Sequence, residues 1–192
     1  MAGNVAPVKD EREGLLGFLA QQRYVLGLAA FGLTEDELRL SPSISSLSLA
    51  GLIKHCAAVE EYWMGLVTGN HVPVASEADY QSNFELGPEE LLRGLIERYE
   101  AVAASTEEIV ASIPDLGREV PVPKDAPWLP EDIEAWSVRW VLLHLITETA
   151  RHAGHADIVR ESIDGASAFP LMAAAEGWPE NPWLTAWRRA DA

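Results

Sequence analysis

Cysteine is almost absent from this chain: Cys56 is the only one in 192 residues. No internal disulfide can form, and a reducing interior suits such a chain. Cys56 is expected to be a small core filler, with a thiol beside a metal as the other reading, because His55 precedes it. Basic residues are scarce as well, with 14 Lys and Arg against 30 Asp and Glu and a formal net charge of −16. So few and scattered cations argue against a phosphate-binding groove, and no nucleic-acid partner is expected. No apolar run is long enough to cross a bilayer, and the opening MAGNVAPVKDEREG has no apolar signal region. A cytoplasmic protein without a membrane partner is expected. Internal repeats, Gly-rich phosphate loops, GxSxG elbows and paired CxxC motifs are also missing.

What the chain does have is histidine in one place. Within WSVRWVLLHLITETARHAGHADIVRESIDG, residues 136–165, His144, Glu148 and His152 step by four and His155 follows three later. On an α-helix all four project from one side, with neighbours separated by roughly 6 Å along the axis. Val141, Leu145 and Val159 border that side, so it should face inward. A carboxylate and an imidazole one turn apart can grip a divalent ion if another helix supplies a further ligand. His55 is the candidate, on a stripe with Leu52, Val59 and Tyr62 in residues 48–67. The plain reading of each histidine, a hydrogen-bonded core residue, stands beside this one.

The length fits one domain spanning residues 1–192, all-α, with residues 1–7 as a loose lead. Apolar spacing predicts a first helix over 9–31, a short turn of helix over 35–38, and a second helix over 48–67 capped by Ser46 or Ser48. Residues 71–86 read as a long surface connection, which leaves His71 solvated. A third helix is predicted from Pro88, carrying Leu91, Leu92, Leu95, Ile96, Tyr99, Val102, Ile109 and Val110 inward, until Pro114 ends it. Residues 115–134, with Pro121, Pro123, Pro127 and Pro130, read as a structureless connection that covers a site or crosses the bundle. The fourth helix is the histidine-bearing one. Beyond it, an extension over 166–192 with Trp178, Trp183 and Trp187 should pack on the bundle as a lid or a partner contact.

With these residues laid out, the chain resembles the DinB-like metal-binding four-helix bundle superfamily. Within it, the similarity is to the branch of mycothiol-dependent maleylpyruvate isomerases and actinobacterial mycothiol S-transferases. SLAGLIKHCAAVEEYW (48–63) and RWVLLHLITETARHAGHADIVRESIDG (139–165) carry the resemblance. It implies a four-helix bundle holding one divalent ion through His55, Glu148 and His152. Many relatives have histidine where Glu148 stands; the isomerase branch resembles this chain in using glutamate. His155 reads as a fourth ligand, a proton carrier or a packed structural residue; because the resemblance fills the ligand set without it, it is expected behind the ligands, as the catalytic residue that handles a proton. His144 reads as a satisfied core histidine bordering the site, and Glu60 as half of an ion pair with Arg151 or Arg23. The larger isomerases carry a further C-terminal domain for which this chain has no room, and that argues against maleylpyruvate as substrate.

The leading functional reading is a metal-dependent thiol transferase or isomerase using mycothiol on a small electrophile. Two imidazoles and a carboxylate leave coordination positions open, and a bound thiol would be driven toward thiolate, the competent nucleophile. Zinc is the first expectation for the ion, with nickel, iron and manganese also compatible with these ligands. Hydrolysis by a metal-activated water is the second reading. A metal-stabilised binding protein without turnover is the third. The expected partners are a small thiol and an electrophilic substrate, with a homodimer left open.

Overall fold

The computed structural model describes residues 3–74, 76–124, 129–130 and 132–189. Its elements are α1 (Glu11–Leu28), α2 (Glu35–Leu38), α3 (Leu49–Thr68), α4 (Glu77–Ser82), α5 (Leu92–Ser112), β1 (Glu119–Pro121), β2 (Ala135–Ser137), α6 (Val138–Asp164) and α7 (Ala168–Glu176). The four long helices α1, α3, α5 and α6 close into a ring: α1 packs on α6, α6 on α3, α3 on α5, and α5 more lightly on α1. The fold is therefore an all-α bundle, and the only sheet among the described residues is a two-stranded ribbon.

Capping chemistry explains the helix boundaries. Asp10, Thr34, Ser48 and Ser137 each accept a hydrogen bond from an early backbone amide of the helix that follows. Gly69 and Gly165 end α3 and α6 in the left-handed conformation, which glycine adopts without a Cβ penalty. The third long helix departs from the expected start at Pro88 and begins at Leu92. Glu90 is the reason: its carboxylate receives the Gly87 amide at 2.7 Å and the Lys54 ammonium at 2.7 Å, holding residues 87–90 in a turn. The Leu92 amide then donates to the Glu35 carboxylate, a cap supplied from 57 residues away.

The stretch over 115–134 is not structureless, and Trp136 is not helical. Glu119–Pro121 and Ala135–Ser137 pair antiparallel, with Val120 opposite Trp136. This ribbon seats the organising helix, because the Val138 and Arg139 amides donate to the carbonyls of Arg118 and Leu116. Two of the amides that a helix start leaves open are satisfied there. Pro127 of this stretch, Met1 and Ala2 of the lead, and Ala190 to Ala192 lie outside the described residues. The 71–86 segment likewise contains a short helix, α4, and is more than a solvated connection.

The C-terminal extension packs at the α1/α6 corner. Leu171 and Met172 join Leu28, Tyr24, Trp178 and Trp187 in one apolar cluster. The guanidinium of buried Arg160 lies 4.9 Å from the Trp187 ring and donates to the carbonyls of Ala29 and Phe31. Trp183, in contrast, is 95% exposed.

The core has two apolar halves. Leu26, Leu52, Ile53, Tyr99 and Val159 belong to one, and Leu19, Trp63, Val110, Val141 and Leu145 to the other. Where the helices pass from one half to the other, each contributes a polar side chain: Arg23 from α1, Glu60 from α3, Thr106 from α5 and Thr149 from α6. Glu60 is 1% exposed and takes Arg23 Nε at 3.0 Å, Arg23 Nη2 at 2.5 Å and the Thr106 hydroxyl at 2.6 Å. Arg23, and not exposed Arg151, is its partner. Removing one member of such a pair strands the other charge away from water. Glu60→Ala is expected to cost about 3–5 kcal/mol in denaturant unfolding, and the double change Arg23→Met with Glu60→Leu should recover most of that loss. A single variant as stable as the parent would contradict this account of the layer.

Candidate metal centre

His55 lies on α3 in the same inward stripe as Leu52 and Val59, and it is 1% exposed. Glu148 and His152, one turn apart on α6, face it across the seam between the two helices. His55 Nε2 is 3.5 Å and His152 Nε2 3.2 Å from the same oxygen, Glu148 Oε1. One donor atom from each of the three residues lies within 4.8 Å of the others. The set expected from the sequence is brought together, and the residues fit a divalent ion on chemical grounds. Glu148 is half-buried and, among the described residues, has no cationic side chain paired with it apart from these imidazoles, which are charged only if protonated. Hydrogen bonds from His152 and His55 hold its carboxyl far below the usual carboxylate range. Burial meanwhile pushes the His55 pKa down, more strongly than Glu148 raises it. An ionised carboxylate beside an imidazole held neutral is negative charge awaiting a cation.

Two features fix the His55 ring. Phe84 stacks on it at 3.9 Å between centroids, nearly parallel, and Tyr80 meets its edge at 6.0 Å. Both come from the 71–86 segment. That segment closes over α3 at two glycines: a Cβ on Gly51 would meet the Phe84 carbonyl oxygen at 2.0 Å, and one on Gly65 would meet His71 Cα at 2.8 Å. Sequence reasoning missed this. The available signal was Tyr80 and Phe84 four apart in a polar stretch, with Gly51, Ala58 and Gly65 lining one face of α3 at a spacing of seven.

A cleft of about 880 Å³ opens onto the centre, bordered by His55, Glu148, His144, Trp63, Tyr62 and Tyr80, with Glu61 and Arg98 paired at 2.7 Å along its α5 side. A smaller apolar hollow of about 530 Å³ between α1 and α5 is lined by none of the three ligands. His144 is not the satisfied core residue expected. It is only partly buried, lines the cleft, and packs between Trp140 at 5.2 Å and Trp63 at 4.5 Å. His155 lies outside the cleft lining, its Nδ1 3.4 Å from His152 Nδ1. His71 is half-buried at the cleft, edge-on to Tyr62 at 6.0 Å, and is not freely solvated. Cys56 stays in the apolar core, its thiol pushed up out of the reactive range by burial, and is not among the clustered ligands. No described residue of the extension is among those bordering the cleft.

A family model described as mycothiol-S-transferase matches residues 14–165. The chain belongs to the mycothiol-S-transferase family. The matched span runs from α1 to the Gly165 cap of α6 and so includes the whole bundle and all three clustered ligands. Among solved structures, a conserved protein of Enterococcus faecalis is similar at a TM-score of 0.60 and 14% identity, covering 83% of this chain and 100% of that one. At that identity the likeness concerns the fold alone. No curated protein matches. No helix among the described residues of this mycothiol-S-transferase family member is long and apolar enough to cross a membrane.

The lowered His55 pKa has a consequence for the metal-free protein. The unfolded chain takes up a proton on this imidazole near pH 6.5, about the ordinary histidine value, while the folded chain refuses it until lower pH. Stability is complete above that value and falls as the pH drops through the window down to the depressed pKa. Melting of chelator-treated protein should therefore show Tm declining as the pH is lowered through and below the ordinary histidine value, and less steeply in His55→Gln. A Tm that is flat across the window in the parent protein would contradict the burial argument.

Proposed function

We propose that this protein transfers the sulfur of a low-molecular-weight thiol, mycothiol, to a small electrophile, using one divalent metal ion held by His55, Glu148 and His152. The observation that carries the reading is the convergence of two imidazoles and one carboxylate at the edge of an 880 Å³ cleft. Such a donor set leaves coordination positions for a substrate, unlike the closed sets of structural zinc. The ion would supply Lewis acidity, lowering the pKa of the thiol so that thiolate is available at neutral pH.

The chain's own residues supply position and exclusion. With a metal ion on Nε2 of His152, its Nδ1 would carry the proton and donate toward His155 Nδ1, 3.4 Å away, which would fix the ring and its tautomer. His155 is accordingly a positioning residue, and the proton it handles is the one shared with His152. Phe84 covers one face of His55 and keeps water from it. The cleft volume suits a thiol together with a small second substrate. A reducing cytoplasm, where the thiol is kept free, belongs to this reading.

Two experiments test it. Metal-reconstituted protein, supplied with mycothiol and a panel of reactive metabolites, should consume thiol, and chelated protein should not. His55→Ala and His152→Ala should lose both the ion and the turnover, while His71→Ala keeps the ion. Full metal occupancy in all three variants, or thiol consumption indifferent to chelation, would sink the proposal. Separately, His155→Phe should weaken zinc affinity by about 10–100-fold with the fold intact; unchanged affinity would show that the imidazole pair orients nothing.

A further inference from the structure

His144 is an imidazole in the cleft with nothing to do. Among the described residues its ring makes no hydrogen bond; only its backbone carbonyl is engaged, by the Thr147 hydroxyl at 2.9 Å. Its faces are nonetheless fixed. Trp140 lies parallel to it at 5.2 Å, Trp63 leans against it at 4.5 Å, and Trp136 continues the stack beyond Trp140 at 4.5 Å. Two tryptophans, backed by a third, thus hold one imidazole whose nitrogens find no hydrogen-bond partner among the described residues. It stands one turn before Glu148, roughly 6 Å along α6. The other cleft imidazole, His71, packs level with Gly65, ten residues along α3 from His55 and so roughly 15 Å from the centre. His155 is committed to His152.

We infer that His144 is the hydrogen-bond donor that binds the electrophile, and that it selects electrophiles whose oxygen gains negative charge as sulfur attacks carbon. The inference rests on the proposed thiol transfer. In that step the thiolate sulfur forms a new C–S bond while the C–O bond of an epoxide breaks, or the C=C π pair of an enone shifts toward its carbonyl. Either way the electron pair settles on oxygen, which a ring N–H of His144 holds by hydrogen bond until water supplies the neutralising proton. Burial keeps His144 neutral, so one ring nitrogen bears hydrogen without the ring carrying charge. The rigid tryptophan seating is what a donor needs if it is to meet developing charge without reorganising. Along the same cleft Glu61 and Arg98 are mutually engaged, which suits an uncharged electrophile.

The test compares electrophiles on the metal-reconstituted protein. His144→Phe keeps the stack and removes the donor. It should slow transfer to an epoxide and to an enone by about 100-fold, the cost of a lost oxyanion donor, and leave transfer to ethyl iodide, which has no oxygen, within about 3-fold. Metal content should be unchanged, and His144→Gln should restore part of the loss. A purely structural role would slow all three electrophiles together, and that result overturns the inference. A second measurement uses the wild-type protein and needs no turnover: the ¹⁵N resonances of the His144 ring should shift saturably as cyclohexanone is added. An absent shift overturns the inference even if thiol transfer is found, whereas a shift without any transfer would sustain the carbonyl contact and remove the proposed function.

Discussion

A polar layer through the middle of an apolar bundle is the constraint on which the rest of the structure depends. Each long helix contributes to it, and none of these groups tolerates being buried alone. Glu60, with its carboxylate filled by Arg23 and Thr106, ties α1 and α5 to α3. The facing edge of the same layer, between α3 and α6, is filled differently: His55 and His152 both turn Nε2 to one oxygen of Glu148, and no Arg or Lys among the described residues pairs with that carboxylate. The first set closes a charge within the protein, while the second keeps one open. Adjacent helices are essential to both, since an imidazole or carboxylate reaches only a few ångströms from its backbone, and α3 is the helix that takes part in each.

That adjacency was legible in the sequence at the ligands and much less so around them. Steps of four from His144 to His152 and the stripe through His55 needed only helical periodicity, and four long helices followed from apolar spacing. Periodicity could not tell a histidine facing packed core from one facing a cleft, because both lie on the inward side; His144 was misplaced for this reason. Helix starts failed where the cap comes from far away. The Leu92 amide is met by Glu35, which no local pattern announces; at α6 Ser137 does cap locally, but the Val138 amide is met by the carbonyl of Arg118 on another strand. Phe84 escaped notice for a related reason: its place over His55 is set by what Gly51 leaves free on another element.

The second sphere around the centre is built mainly from rings. Phe84 and Tyr80 hold His55, while Trp63, Trp140 and Trp136 hold His144. Rings of this kind give position without adding charge, which matters beside a carboxylate, Glu148, that no Arg or Lys among the described residues pairs with. A lysine or arginine in their place would pair with Glu148 and compete with a cation for it. Aromatic packing therefore lets Glu148 stay ionised and half-buried without a permanent partner.

Charge then constrains what the cleft can accept. With the imidazoles neutral, the three ligands carry one negative charge, so a divalent ion would leave the centre with one positive charge and a thiolate would cancel it. An anionic electrophile arriving afterwards would meet no surplus positive charge, because Arg98 is engaged by Glu61 and the chain as a whole is strongly acidic at −16. An uncharged electrophile gives up little hydration on entering and gains the apolar flank offered by Trp63 and Val59. In the proposed transfer it would become charged only as the sulfur bond forms. A cleft balanced in this way favours the group that is neutral on arrival and negative at the transition state, which is the condition for binding energy to raise a rate as well as an affinity.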